Sequence, residues 1–382
     1  MIPYGKQTIG EDDIKEVVAV LRSDWLTQGP KVEEFESKLA EYCGAKFAVV
    51  VSNGTAALHA AYFAIDLKQG DEFITSPMTF AATANAGLWQ GARPVFVDVD
   101  STGNIDPSLI EEKITSHTKA LVPIDYTGRP ADLDSIQKIA KKHGVPVIED
   151  ACQSLGALYK NKRVGSLSDL SVFSFHPVKS ITTGEGGAIL TDNEAYYRRM
   201  KMFVTHGITK KYLKNDSPGD WYYEMQELGM NYRLTDFQSA LGISQLKKLD
   251  HFIALRRSIA ERYHEAFKMV PEFIAPPLDT LEVQSAWHLY ALRLAPSLTP
   301  RRAGIFAALR AKGIGVQVHH IPVHLHPYYQ KLGYQKGLCP RAEAFYEAEI
   351  SLPLYPSLGL EEQTYVIETV KEIVENQSHI LS

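Results

Sequence analysis

The sequence predicts an α/β protein, a largely parallel sheet covered by helices on both faces and followed by a smaller α+β unit. Three observations predict it. Short apolar runs, KFAVVV, EFITS, RPVFVD, KALVPI and VPVIED, alternate with helical segments between Lys46 and Asp150, as parallel strands buried on both faces do. The Pro-rich segment VPEFIAPPLD then marks a shift in composition. The length, 382 residues, exceeds what one hydrophobic core usually supports, so two units are expected.

Taken in order, Ile14, Val17, Val18 and Leu21 lie on one helical stripe and Val32, Phe35 and Leu39 on another, which predicts two N-terminal helices. The five strand-like runs follow, then SDLSVFSF and GGAILT as two more strands. From His206 to Arg233 no period is visible, and a polar, aromatic stretch of that length predicts a functional loop. Helical patterning from Thr235 to about Met269 is long for one helix, so a break is expected near Asp250. The units are therefore drawn as 1–250 and 251–382, the second including the linking helix. In the second, WHLYALRLA reads as a strand, Pro300 to Lys312 as a helix, IGVQV as a strand, and two helices close the chain. In such folds ligands bind outside the carboxyl ends of the strands.

Composition narrows the function. Fractions of 45% hydrophobic, 10% aromatic and 22% charged residues exclude a disordered, collagenous or disulfide-stapled chain. Forty Lys plus Arg against forty-five Asp plus Glu leave a net charge of −5, no field for a nucleic acid backbone or an anionic membrane. Cys43, Cys152 and Cys339 are odd in number and far apart, which fits neither a disulfide framework nor a thiolate metal site. The first residues, MIPYGKQTIGEDD, lack the basic start and apolar centre of a secretory signal. The uncharged stretch from Phe73 to Ala92 carries Pro77, Asn85 and Gln90 and reads as buried strand, loop and helix, not as a membrane span. A cytoplasmic protein is expected.

Three segments carry candidate chemistry. In Ser52-Asn53-Gly54-Thr55-Ala56-Ala57 a glycine and small residues open a helix directly after a strand. Free N–H groups there make an anion site, and the same residues also fit an ordinary cap by Ser52 or Asn53. Asp150 ends the strand VPVIED, with Gln153 three residues on. A carboxylate so placed faces the ligand crevice and demands a cationic or hydrogen-bonding partner, or else serves as a cap or structural ion pair. In SFHPVKSITTGEGGAIL, Lys179 stands in a nearly uncharged run with Ser174, His176 and the glycines Gly184, Gly186 and Gly187. A buried amine is readily neutral and nucleophilic, able to form a Schiff base. The GEGG string lacks dinucleotide-loop spacing and precedes a strand, so its glycines are read as permitting close backbone approach. A phosphate site, a carboxylate for a pyridine nitrogen and a lysine for an aldehyde together match pyridoxal phosphate.

The motifs LTQGP, SNGTAALHAA, PMTFAATANA, GARPVFVDVD, VPVIEDACQSLGA, FSFHPVKSITTGEGGA and NYRLTDFQSALGISQL resemble the DegT/DnrJ/EryC1/StrS sugar aminotransferases over almost the whole chain. The resemblance implies an aspartate aminotransferase-like fold (PLP fold type I), whose large domain holds a mixed, mostly parallel seven-stranded sheet beside the smaller C-terminal α+β domain. It implies that Lys179 binds the cofactor aldehyde and shuttles the proton, Asp150 pairs with the pyridinium nitrogen, Gln153 bonds the phenolic oxygen and Phe80 stacks on the ring. Gly54, Thr55, Ala56 and Ser174 would hold the phosphate, helped by Asn231 from the other subunit of a homodimer with shared active sites. His176 and Arg233 lie in matching motifs. The strings HPVKSITTGEGG, GVQVHHIPVH and AFYEAEISLP are similar to the members that aminate carbon 4 of UDP-2-acetamido-2,6-dideoxy-β-L-arabino-hexos-4-ulose in pseudaminic acid biosynthesis. The implied partners are such a nucleotide sugar and L-glutamate.

His319, His320, His324 and His326 cluster, but no nearby carboxylate or cysteine completes a zinc set. No metal is expected, and His319 and His320 are candidates for the sugar-nucleotide rim. Trp221, Tyr222 and Tyr223 suit either a nucleobase platform or packing and a dimer interface. Cys152 is read as a small buried filler. The rival acceptors are other nucleotide keto sugars, such as GDP-4-keto-6-deoxymannose. Related dehydratases carry a histidine where Lys179 stands, and a non-catalytic protein retaining the fold would be expected to lose the lysine or the acid.

Overall fold

The computed structural model describes residues 1–211 and 213–378. Residue 212 of the predicted loop and residues 379–382 of the predicted second unit lie outside the described residues. The strand-like runs of the first half form strands where expected, in two hydrogen-bonded sheets. One has the order Phe47–Val51, Gly187–Thr191, Leu170–Ser174, Ile148–Asp150, with the first two pairings antiparallel and the last parallel. The other, Arg93–Phe96, Glu72–Thr75, Thr118–Val122, is all parallel. Between them run only isolated parallel bridges, Leu121 with Val147 and Ile124 with Asp150, so the pairing is four strands plus three and not one uninterrupted seven-stranded ladder. Pro123 and Pro146 explain the gap. Each accepts a backbone bond from the facing strand, from Asp150 at 2.8 Å and Leu121 at 3.0 Å, but neither has an N–H to return.

Alternation along the strands builds the two faces. Val49, Val51, Val172 and Ile189 pack on the nearly all-apolar helix Gly54–Ala64, while Ala48, Val50, Phe173, Ala188 and Leu190 pack with Phe35 and Leu39 of Pro30–Cys43 and Leu246 of Asp236–Leu246. The expected break in the long helical stretch falls at Lys247 and Lys248, ahead of Leu249–Phe267.

The C-terminal part has its own core, in which Tyr263, Tyr290, Leu292, Leu309, Val366 and Val370 are buried together. Its sheet is Phe273–Ile274, Tyr290–Leu294, Glu349–Leu352, all antiparallel. Two expectations are corrected here. IGVQV is not a strand, because Ile314 bridges Ile2 while Gln317 bridges Ser351, and alternating between partners leaves no continuous ladder. The third strand comes from AFYEAEISLP, as Glu349–Leu352, after the helix Pro340–Ala348. The aperiodic loop carries one small ribbon, Ile208–Thr209 with Glu224–Met225. Among the described residues no helix is long and apolar enough to cross a membrane.

Candidate active site

A cavity of about 910 Å³ opens at the carboxyl ends of the central strands. Its wall includes Gly54, Thr55, Ala56, Phe80, Asp150, Gln153, Ser174, His176, Lys179, His319 and His320. Eleven of the thirteen residues singled out from the sequence thus meet at one place. Asn231 and Arg233 do not line this cavity. Asn231 is exposed and bridges Thr205 at the end of the long loop, and Arg233 bridges Val51 through its backbone.

The anion end is the start of the helix Gly54–Ala64. Asn53 caps it, its side chain accepting from Ala56 N–H at 2.8 Å, so the capping reading and the anion reading hold together. The cap satisfies one first-turn donor and leaves others facing the cavity. Two glycines permit the arrangement. A Cβ on Gly54 would lie 2.9 Å from Ser174 Cβ, and one on Gly187 would lie 2.7 Å from the Asn53 carbonyl oxygen. The helix start, the Ser174 strand end and the neighbouring strand therefore approach as closely as backbones can.

Asp150 is 5% exposed and both its oxygens are engaged. Oδ2 accepts from Thr83 Oγ1 at 2.6 Å, and Oδ1 accepts from the Cys152 N–H at 3.2 Å. Gln153 is fixed by accepting from Thr127 N–H at 2.8 Å, with its amide nitrogen 3.4 Å from His320 Nε2. Lys179 is half-buried in the wall. Lost solvation lowers its pKa; the negative forms of Cys152 and Asp150 oppose that shift and Arg256 adds to it. Phe80, 66% exposed, faces His320 with ring centroids 6.3 Å apart.

His288, His319 and His320 are neutral hydrogen-bonding groups. Burial depresses His319 to about 4 and takes His320 and His288 well below the usual range. His319 is held by Glu349 Oε2, which accepts its backbone N–H at 2.9 Å, and by Ser351 Oγ, 2.9 Å from ring Nδ1. The cluster does have a carboxylate, contrary to the expectation from local sequence. Glu343, on Pro340–Ala348, meets His324 Nε2 at 2.8 Å. Among the described residues no group of three or more ligands could hold a metal.

Residues not foreseen also line the cavity, among them Tyr4, Thr79, Thr83, Trp89, Tyr232 and His288. Thr83 had one available signal, its place one helical turn after Phe80 in TFAATANA. Tyr4 and His288 had none, since distant segments bring them in. Cys152 is not mere filler, for it lines the cavity and its N–H orients Asp150. Trp221 and Tyr223 are exposed, 72% and 55%, and lie outside this cavity.

An anion cradle, a buried carboxylate fixed by a hydroxyl, and a desolvated amine around one cavity fit the phosphate, ring nitrogen and aldehyde of pyridoxal phosphate. They define a pyridoxal phosphate-dependent enzyme. The chain belongs to the DegT/DnrJ/EryC1/StrS aminotransferase family, whose model matches residues 7–371. It is 41% identical over 378 residues to a UDP-4-amino-4,6-dideoxy-N-acetyl-beta-L-altrosamine transaminase of Campylobacter jejuni, covering 98% of each chain. Among solved structures it is similar to Helicobacter pylori PseC, an aminotransferase involved in the biosynthesis of pseudoaminic acid, with a TM-score of 0.92 and 37% identity over 98% of this chain and 99% of that one. It is similar also to the PLP form of a putative sugar aminotransferase, Spr1654, from Streptococcus pneumoniae, with a TM-score of 0.92 and 32% identity over 98% and 99%.

Proposed function

We propose that this aminotransferase moves an amino group from L-glutamate to carbon 4 of a nucleotide-linked 4-keto-6-deoxy sugar, with UDP-2-acetamido-2,6-dideoxy-β-L-arabino-hexos-4-ulose as the acceptor. The sugar loses its ketone oxygen and gains the amine, while glutamate leaves as 2-oxoglutarate. The observation that carries the proposal is the convergence of Lys179, Asp150 and the Gly54 helix start on one cavity. The names of the relatives support the acceptor.

When bound, pyridoxal phosphate supplies an aldehyde that takes up an amine and a ring that accepts the electron pair left when a C–H bond breaks. The chain's own groups do the rest. Gly54, Thr55 and Ser174 would hold the phosphate, with Ala56 lining the cradle while its N–H serves the Asn53 cap, and Asp150 would hold a protonated ring nitrogen by charge, its orientation fixed by Thr83 and the Cys152 N–H. Phe80 and Gln153 fix the plane of the ring. Lys179, kept readily neutral by burial, binds the aldehyde and moves a proton at Nζ. His176, His319 and His320, the latter two neutral, offer hydrogen bonds to the acceptor, with Arg233 at its outer edge.

We further propose a homodimer with composite sites. Exposed Trp221, Tyr223, Met225 and Leu228 precede exposed Asn231, an apolar surface suited to a two-fold contact that carries Asn231 to the other subunit's phosphate. The units 1–250 and 251–382 and a type I sheet of seven strands, bridged at Leu121 and Ile124, complete the proposal. So does a cytoplasmic site of action, which suits three free cysteines. The test is to supply ¹⁵N-glutamate with the UDP-acetamido keto sugar and, separately, with GDP-4-keto-6-deoxymannose, and to identify products by mass spectrometry and NMR. The first should be aminated with the higher kcat/KM. Preference for the second would overturn the acceptor, and no labelled product from any nucleotide keto sugar would overturn the function.

A further inference from the structure

Arg256, on the helix Leu249–Phe267, is 1% exposed. Among the described residues it has no carboxylate partner. Its hydrogen bonds go to main-chain carbonyls of three separate segments. Nη1 donates to Leu354 at 3.0 Å, Trp287 at 3.3 Å and His288 at 3.4 Å. Nη2 reaches back to Val178 at 3.4 Å and Lys179 at 3.5 Å. Arg256 and Lys179 also line one small cavity beneath the site. Nε has no partner. A dehydrated guanidinium satisfied only by carbonyl dipoles is a costly way to brace three segments, since the charge is buried without a counter-charge.

The charge acts on two neighbours, the buried His288 and Lys179, and only Lys179 carries an amine in the large cavity. Lys179 is faced by Asp150, whose negative form favours a protonated amine, and by Cys152, whose thiol burial holds well above its usual range. His288, His319 and His320 face it as neutral rings. Arg256 is a fixed cation that opposes a charge on it. In a poorly solvated wall two like charges repel far more strongly than in water.

We propose that Arg256 is the positioning residue for Lys179: its fork fixes the backbone at Val178 and Lys179, and its uncompensated charge disfavours a second positive charge on the amine. This rests on Lys179 being the cofactor lysine. Arg256 does not line the large cavity; it acts through the lysine, and it ties the lysine's loop to the C-terminal strand region through Trp287, His288 and Leu354.

Arg256→Gln removes the charge and keeps a single two-proton amide donor, whereas Arg256→Lys keeps the charge; both lose the fork. Full-length protein stripped of pyridoxal phosphate is labelled with trace acetic anhydride across pH, and acetylation of the Lys179 peptide is read by mass spectrometry. The Arg256→Gln midpoint should rise by about one pH unit, and Arg256→Lys should stay within about 0.3 of wild type. In the loaded protein the pH midpoint of the visible absorption band should move the same way. Arg256→Lys should lower kcat several-fold with acceptor KM within about twofold, because the backbone is held less firmly. A folded Arg256→Gln with an unmoved midpoint, or equal shifts in both variants, overturns the proposal. If Arg256→Gln shows no cooperative melt, Arg256→Lys decides alone, and a midpoint raised by about a unit overturns it. Lys179→Ala separates the underlying reading: a visible band that survives it removes Lys179 as the cofactor lysine, while the labelling still reports on Arg256.

Discussion

Thr83 is the sharpest place to test how the site works, because proton counting leaves its hydroxyl one role. Its oxygen lies 2.6 Å from Asp150 Oδ2, 2.7 Å from Thr79 Oγ1 and 3.3 Å from the Phe80 carbonyl oxygen. It has one proton, and the short contact to a carboxylate is the strongest acceptor of the three, so Thr83 donates to Asp150 and accepts from Thr79. Thr83→Val keeps the branched shape and removes that donor. Oδ2 is then left without its protein partner, which costs about 1.5–3 kcal/mol for a bond to a charged group. If the cost falls on the charge that holds the ring nitrogen, turnover drops about 10- to 100-fold. The assay is kcat for amination together with the Kd for pyridoxal phosphate. Thr83→Ser should restore most of the activity, and Thr79→Val should cost much less, since it acts one hydroxyl further away. Thr83→Val with turnover within twofold of wild type would refute the link from hydroxyl to carboxylate.

Purified wild-type protein should be yellow, and Lys179→Ala should lose the visible band and all measurable product by mass spectrometry. Mixing Lys179→Ala with Asn231→Ala subunits should recover activity, since a heterodimer with composite sites carries one site with both lesions and one with neither. No recovery, with heterodimers verified and Asn231→Ala inactive alone, would place the site within one chain. Glu349, wholly buried, is pushed up to about 8 by lost solvation against 4.5 unperturbed. The folded protein therefore holds a proton that the unfolded chain has released between those values, and stability falls as pH rises through that window. Glu349→Gln has no proton to lose and can still accept from His319 N–H and meet Ser351. Its stability relative to wild type should rise from pH 5 to pH 8 by on the order of 3 kcal/mol in urea titrations, and parallel curves would refute the assignment.

The sequence made visible what is anomalous against its local background. Strands buried on both faces leave continuous apolar runs, and VPVIED and SDLSVFSF stand out for that reason. Asp150 and Lys179 stand out because a charge at the end of, or within, such a run must be desolvated or paired. The limits follow from the same logic. The break between the two sheets turns on whether Pro123 and Pro146 face each other's strands, which is a matter of register that no single run contains. Thr83 and Ser351 are neutral donors in ordinary company, and their importance arises only when Asp150 and His319 are brought beside them. Arg256 and Arg257 show the limit most clearly. They are consecutive in ALRRSIAERY and chemically identical, with nothing in the local pattern to rank them. Arg257 turns to Asp279, 2.8 Å away, as a partly exposed ion pair. One helical step of about 100° turns Arg256 instead into the space beneath Lys179, with only carbonyls to meet it. Local sequence can locate the groups that carry charge into a site. What tunes those groups is decided by the tertiary packing that closes around them.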